Sequence, residues 1–177
     1  MTDETSPGIP DEPDLARWCE LGLWDEEDSG TLPVVVRSKR AGKPSSLRIL
    51  LVDEDPWILE KLGGRLIAWG LGVCREATIA RCCKVMDYET PDLVVLDARL
   101  LDGEGLHCVE QARLRHPDMP MLLTGAPGKA AEEKTLRIGA RELLARPFRM
   151  VEVKRAVFAA LGEEWVSVPT PDRAEAV

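Results

Sequence analysis

Histidine is scarce in this 177-residue chain: there are two, His107 and His116. They do not read as a catalytic dyad. His116 precedes Pro117 at the end of a helical stretch, where it is expected to face solvent, and His107 falls on a helix as a surface or packing residue. Basic charge is not in excess where a folded domain is expected. The formal net charge is -8, but residues 1–46 carry ten acids and five bases, residues 47–161 seventeen of each, and residues 162–177 four acids and one base. A neutral centre between acidic tails lacks the basic face that phosphate backbones require, which argues against nucleic acid as a direct partner of the folded part. A zinc-ligand spacing is also missing. Cys19, Cys74, Cys82, Cys83 and Cys108 are odd in number and fit no such pattern. They read as reduced thiols of a cytosolic protein, with Cys82–Cys83 as small helical residues rather than a redox pair. The start, Met1 to Thr5, has neither basic charge nor an apolar stretch, and no apolar run is long enough to span a bilayer. The expected location is cytoplasmic, without signal peptide or membrane insertion.

What is present divides into three. Residues 1–46 are acidic and punctuated by Pro7, Pro10 and Pro13, and read as a mostly disordered extension. Within it, residues 14–24 predict a short helix in which Asp14 is the N-cap and Leu15, Trp18 and Leu21 share a side; Gly22 weakens or ends it. That helix is read either as part of a loose tail, as docked on its own domain, or as a partner-binding segment. Leu32–Val36 is a short apolar run with strand character, followed by a basic linker from Arg37 to Ser46. Residues 162–177 read as an acidic tail.

Between these, residues 47–161 alternate short apolar runs with helical patterns. Strands are predicted at Arg48–Val52, Val73–Glu76, Leu93–Leu96, Met121–Leu123 and Glu142–Ala145. Helices are predicted at Pro56–Gly70, with Ile58, Leu59, Leu62, Leu66 and Ile67 on one side, and at Ile79–Met86, Gly105–His116, Ala130–Ile138 and Met150–Leu161. Strands without polar alternation fit a parallel sheet covered by helices on both faces.

In such a sheet, ligands bind beyond the carboxyl ends of the strands. At those ends stand Asp53, Glu54 and Asp55 after the first strand, Asp97 after the third, Thr124 with the small Gly125 after the fourth, and Arg146 with Pro147-Phe148 after the fifth. Crowded carboxylates repel one another unless a cation sits among them, and oxygen-only ligands suit magnesium. The chemistry implied is attack by the Asp97 carboxylate on phosphorus, with the Thr124 hydroxyl and the Arg146 guanidinium on phosphoryl oxygens. Taken singly, each residue has a plainer role: Asp53 as a helix cap before Pro56, Thr124 as a turn residue, Asp97 as a cap on the following loop.

Leu50-Leu-Val-Asp-Glu-Asp-Pro56, Pro91-Asp-Leu-Val-Val-Leu-Asp97, Leu100-Leu-Asp-Gly103, Leu122-Leu-Thr-Gly125 and Arg146-Pro-Phe148 together resemble the motifs of response-regulator receiver domains, in that family's order and close to its spacing. The resemblance implies a flavodoxin-like (CheY-like) α/β fold with five parallel strands in the order 2-1-3-4-5 and five flanking helices. It implies Asp97 as phosphoacceptor, and Asp53, Glu54, Asp97 and the backbone carbonyl of Arg99 as ligands of Mg2+. It also implies a cis peptide before Pro147.

Two departures from the family matter, and a third, Glu54 for the commoner Asp, is milder because it keeps the charge with one more methylene. Arg146 stands where its pattern has Lys, replacing a compact ammonium with a longer planar fork. Leu143 stands where many receivers carry an aromatic switch residue. Two readings therefore stay open: a single-domain response regulator phosphorylated on Asp97 by a histidine kinase or phosphotransfer protein, or a receiver-like scaffold that binds partners without phosphorylation. A remote third, a haloacid-dehalogenase-like phosphatase, rests on Asp53-x-Asp55, but Trp57 stands where that family wants Thr. The expectation is a signalling domain, with at most self-phosphorylation and self-dephosphorylation. Only sixteen residues follow Leu161, too few for an output domain, so output is expected by protein contact. The expected face is the fourth helix, fifth strand and fifth helix, where Arg141, Arg149, Lys154 and Arg155 would meet an acidic partner or the chain's own acidic tail. A homodimer is left open.

Overall fold

The computed structural model describes residues 34–37 and 47–167. The helix expected at residues 14–24, the linker at 38–46 and the end of the acidic tail lie outside the described residues. In chain order the elements are β1 (Val34–Arg37), β2 (Arg48–Val52), α1 (Pro56–Ala68), β3 (Gly72–Glu76), α2 (Ile79–Tyr88), β4 (Leu93–Asp97), a 3-10 turn (Ala98–Leu100), α3 (Glu104–Arg115), β5 (Met121–Gly125), α4 (Lys129–Arg137), β6 (Glu142–Ala145), α5 (Met150–Leu161) and β7 (Glu164–Ser167).

Five strands form one parallel sheet in the order β3-β2-β4-β5-β6. Counted within that sheet, the order is the expected 2-1-3-4-5. Period-two alternation of side chains explains why the central strands, β2 past Arg48, β4 and β5, are buried on both faces, whereas the edge strands β3 and β6 are only partly buried. Ile49, Leu51, Val95, Leu122 and Leu144 point into a cluster with α1 and α5. Leu50, Val52, Val94, Leu96 and Leu123 point into a second cluster with α2 and α3. A polar residue at almost any of these positions would be buried without water. A separate two-stranded sheet pairs β1 antiparallel with β7; β1 overlaps the apolar run at Leu32–Val36, and β7 lies in the segment read as an acidic tail.

Local chemistry sets the helix starts. Asp55 caps α1, accepting from the Trp57 amide at 2.9 Å, with Pro56 in the first turn. Thr78 caps α2. Helix α1 stops at Ala68, and Ile67, assigned to its inner side from sequence, is 51% exposed. The apolar stripe of α1 is narrower than its composition suggests, because Trp69, just past its end, fills the core instead.

Three further expectations are corrected. Cys83 on α2 and Cys108 on α3 are joined as a disulfide, against the reading of five reduced thiols; two packed helices bring together residues 25 apart in sequence, which no spacing motif reveals. His116 is half-buried, its Nε2 3.0 Å from the Met86 carbonyl, because the end of α3 folds against the end of α2. Lys154 is buried, with its ammonium 5.7 Å from the centroid of the Trp69 ring, so it does not belong to an exposed basic patch. Arg141, Arg149 and Arg155 are exposed as expected, although Arg149 pairs with Glu152 and Arg155 with Glu142.

Candidate functional site

The parallel register creates the site. Asp97 is the last residue of β4 and stands beside Thr124 on β5. Asp53 follows β2, which lies on the other side of β4, and its amide donates to the Glu76 carbonyl at the end of β3. Arg146 follows β6, its amide donating to the Gly125 carbonyl at 2.7 Å. Four strand ends thus deliver Asp53, Asp97, Thr124 and Arg146 to one edge of the sheet. Asp53, Asp97 and Thr124 are all buried, at 1%, 0% and 2% exposure.

Buried charge must be paired, and here two guanidinium groups do it. Arg146 Nη2 donates to Asp53 Oδ2 and, at 2.9 Å, to Thr124 Oγ1, while Nη1 lies 3.7 Å from Asp97 Oδ2. Its Nε is buried with no acceptor among the described residues. Arg99, in the turn after Asp97, donates from its amide to Asp97 Oδ1 at 3.0 Å and from Nε to Asp97 Oδ2 at 2.8 Å. Its guanidinium also reaches Glu54 Oε1 at 3.1 Å. Asp53 in addition accepts from the Asp55 amide at 2.9 Å. Burial nevertheless raises the Asp53 carboxyl above its ordinary range; the Asp55 amide and Arg146 pull it down without fully offsetting that, and Asp97 adds a smaller push upward. Arg99 is held yet more firmly in its charged form, chiefly by its hydrogen bond to Asp97.

All six residues singled out from sequence therefore meet: Asp53, Glu54, Asp97, Arg99, Thr124 and Arg146. The plainer roles are partly real. Asp97 does cap the turn that follows it, but the cap of α1 is Asp55 rather than Asp53. With its carboxylate committed to the helix start, Asp55 is poorly placed as the acid of a phosphatase. The peptide between Arg146 and Pro147 is cis, as the resemblance implied. Among the described residues, no three His, Cys, Asp or Glu side chains are gathered as metal ligands. The donor set is still oxygen-rich, and a backbone carbonyl was expected among the ligands.

Sequence reasoning missed three supports. Lys134 on α4 donates to the Ala98 carbonyl at 3.0 Å and to Asp102 Oδ1 at 2.7 Å, tying α4 to the loop after Asp97. Gly125 is small for a reason: a Cβ there would lie 3.1 Å from the Ala98 Cβ. At Gly105 a Cβ would collide with the Leu100 carbonyl oxygen, so α3 can start close under that loop only with glycine. The Leu100-Leu-Asp-Gly motif was the available signal for this loop, but nothing in it names Lys134.

A doubly covered parallel sheet with an acidic, arginine-bridged cluster at the ends of its central strands defines a flavodoxin-like α/β domain. Comparison with known proteins narrows this. The family model described as response regulator receiver domain matches residues 49–158, and the chain belongs to that family, whose members are signalling domains of two-component systems. The photosynthetic apparatus regulatory protein RegA of Cereibacter sphaeroides is 34% identical over 124 residues, 70% of this chain and 65% of that protein. The acid tolerance regulatory protein ActR of Rhizobium meliloti is 30% identical over 130 residues, 73% of this chain and 67% of that protein. The chain spans about two thirds of these relatives, and 28% of the transcriptional regulatory protein GlrR of Escherichia coli. A CheY-like receiver domain structure from Methanospirillum hungatei is 26% identical with a TM-score of 0.62, covering 67% of this chain and 95% of that one. Among the described residues no helix is long and apolar enough to cross a membrane.

Proposed function

We propose that this receiver domain works as a single-domain response regulator, accepting a phosphoryl group on Asp97 from a histidine kinase or phosphotransfer protein in the cytoplasm. The observation that carries the reading is the lateral pairing of Asp97 with Thr124, both buried, with the Arg146 guanidinium reaching Asp53, Thr124 and Asp97 together. An Asp97 oxygen attacks the phosphorus of a phosphohistidine. The P–O bond of an acyl phosphate forms as the P–N bond breaks, and the departing imidazole nitrogen keeps the electron pair and takes up a proton. Thr124 Oγ1 donates to one phosphoryl oxygen. Arg146 supplies charge, and its buried Nε, which has no acceptor among the described residues, donates to another. Asp53, Glu54, Asp97 and the Arg99 carbonyl are the residues that would hold Mg2+, whose chemistry is to neutralise charge on the transferring group.

Output runs by protein contact through α4, β6 and α5. Leu136 on α4 and Val151 on α5 are exposed at 80% and 52%, and a groove of about 570 Å³ beside β6 and α5 is lined by Leu143, Phe148, Val151 and Arg155. With leucine at position 143, a ring-burial switch is not available. The Lys134 link from α4 to the Asp97 loop is the alternative route by which that face senses the site.

The test is incubation with magnesium and acetyl phosphate, followed by intact mass measurement. The expected result is the gain of one phosphoryl group in the wild type and none in Asp97→Ala. No gain in the wild type overturns the reading in favour of a scaffold that binds without phosphorylation; a gain that survives in Asp97→Ala overturns Asp97 as the acceptor.

A further inference from the structure

The Arg99 guanidinium is held by several acids at once. Its Nε and Nη2 lie 2.8 and 2.7 Å from Asp97 Oδ2, Nη1 lies 3.1 Å from Glu54 Oε1, and Nη2 lies 3.9 Å from Asp53 Oδ1. Those three acids are the ones that would hold the divalent ion. The guanidinium is therefore a positive charge that reaches all three, whereas Arg146 reaches Asp53 and Asp97. It stands on the solvent side: the Arg99 side chain is 55% exposed, whereas the Asp53 and Asp97 side chains beneath it are at 1% and 0%.

A magnesium ion needs oxygen ligands at about 2.0–2.1 Å in a near-octahedral arrangement. Asp97 Oδ2, already accepting from Arg99 Nε with Nη2 in ion-pair contact, cannot also take an ion without a like-charge clash between guanidinium and ion at close range. One cation must leave. Arg146 is the poorer candidate, being only 22% exposed and bonded to both Asp53 and Thr124. Arg99 can leave cheaply. Its amide bond to Asp97 Oδ1 is separate from its side chain, so the turn stays folded while the guanidinium swings into water.

We propose that Arg99 is a built-in counter-cation that competes with the divalent ion: it closes over Asp97 when no ion is bound and is displaced when one binds. Arg99 thereby sets the ion affinity of the site and controls access to the phosphoacceptor oxygen. This rests on the receiver reading of the site.

The experiment measures Mn2+ binding to the full chain by electron paramagnetic resonance, with Mg2+ as competitor. Arg99→Ala and Arg99→Gln should bind roughly three- to thirtyfold tighter than wild type, the worth of a charge-assisted but exposed pair. Arg99→Lys, which keeps charge but loses the fork, should fall between. Simple through-space repulsion is screened at 1 M salt, where the Debye length is about 3 Å; displacement of a bonded side chain persists there. The Arg99 Nε–H proton resonance provides a direct readout, expected to shift when Mg2+ saturates the wild type. If neither wild type nor Arg99→Ala binds Mn2+, the metal reading fails and the inference with it. If wild type binds and Asp97→Ala does not, yet Arg99→Ala binds equally or more weakly, the inference falls while the metal reading stands. An unmoved Arg99 resonance, or a gain that vanishes at 1 M salt, also overturns it.

Discussion

Replacing Asp53 by asparagine should make the metal-free protein more stable at neutral pH. The substitution is nearly isosteric in a position that is 1% exposed, so packing is preserved and the change is electrostatic. Desolvating a carboxylate costs several kcal/mol. The hydrogen bonds from the Asp55 amide and Arg146 return about 1.5–3 kcal/mol each. These terms nearly cancel, and the raised carboxyl of Asp53 shows which is larger. An acid that holds its proton more tightly in the fold than in the unfolded chain stabilises the fold at low pH and loses that contribution as pH rises through the interval between the two values. Ionised Asp53 is therefore a net burden above the ordinary carboxylate range. The side-chain amide introduced by Asp53→Asn cannot ionise. Against it stands one loss, a partner for Arg146, which keeps Thr124 and the nearby Asp97. The net expectation is a gain of about 1 kcal/mol at pH 7, or roughly 3–6 °C in Tm for a domain of this size.

The assay is thermal and urea denaturation of both proteins from pH 4 to pH 8, with and without magnesium. Without magnesium, the advantage of Asp53→Asn should be small near pH 4 and grow toward pH 7. With magnesium, the order should reverse or narrow, because a ligand that binds only the fold adds RT ln(1 + [L]/Kd), roughly 1.4 kcal/mol at ten times Kd, to the wild type alone. A variant less stable than wild type at pH 7 without magnesium would refute the argument that desolvation dominates. So would an advantage independent of pH.

Two further outcomes follow from geometry. Gly105→Ala should destabilise by about 1–3 kcal/mol, since the added methyl meets the backbone oxygen of Leu100 rather than a yielding side chain, whereas Gly64→Ala, with open space around it in α1, should gain up to about 1 kcal/mol; equal urea midpoints for the two would show that α3 does not press on the Asp97 loop. Iodoacetamide at pH 8, read out by tryptic peptide masses, should modify exposed Cys74 well before buried Cys82, whose thiol is pushed up to about 12 by burial; faster labelling of Cys82 would mean that the α2 face opens.

The sheet was legible in the sequence because its central strands had to be apolar on both faces, and a run such as Leu93–Leu96 has few other uses in a neutral domain. Four strand ends were legible as a site because a parallel sheet leaves its carboxyl ends at one edge whatever the loops do. What escaped prediction depends on contacts between elements: Lys134 reaching the Ala98 carbonyl, Cys83 meeting Cys108, Lys154 lying over Trp69. Each joins residues with no periodic or motif relation. Arg99 belongs to this group too. Its number came from a backbone role, a carbonyl offered to an ion, while the structure shows its side chain as the cation nearest that position. The substitution of Arg for the family's Lys at 146 then reads differently. A compact ammonium would leave Thr124 and Asp53 with less of the fork that now bridges them. With Arg146 fixed by two partners and Arg99 exposed and releasable, the site holds one permanent and one exchangeable positive charge. Of these two guanidinium groups, the exchangeable one is the more exposed, at 55% against 22%.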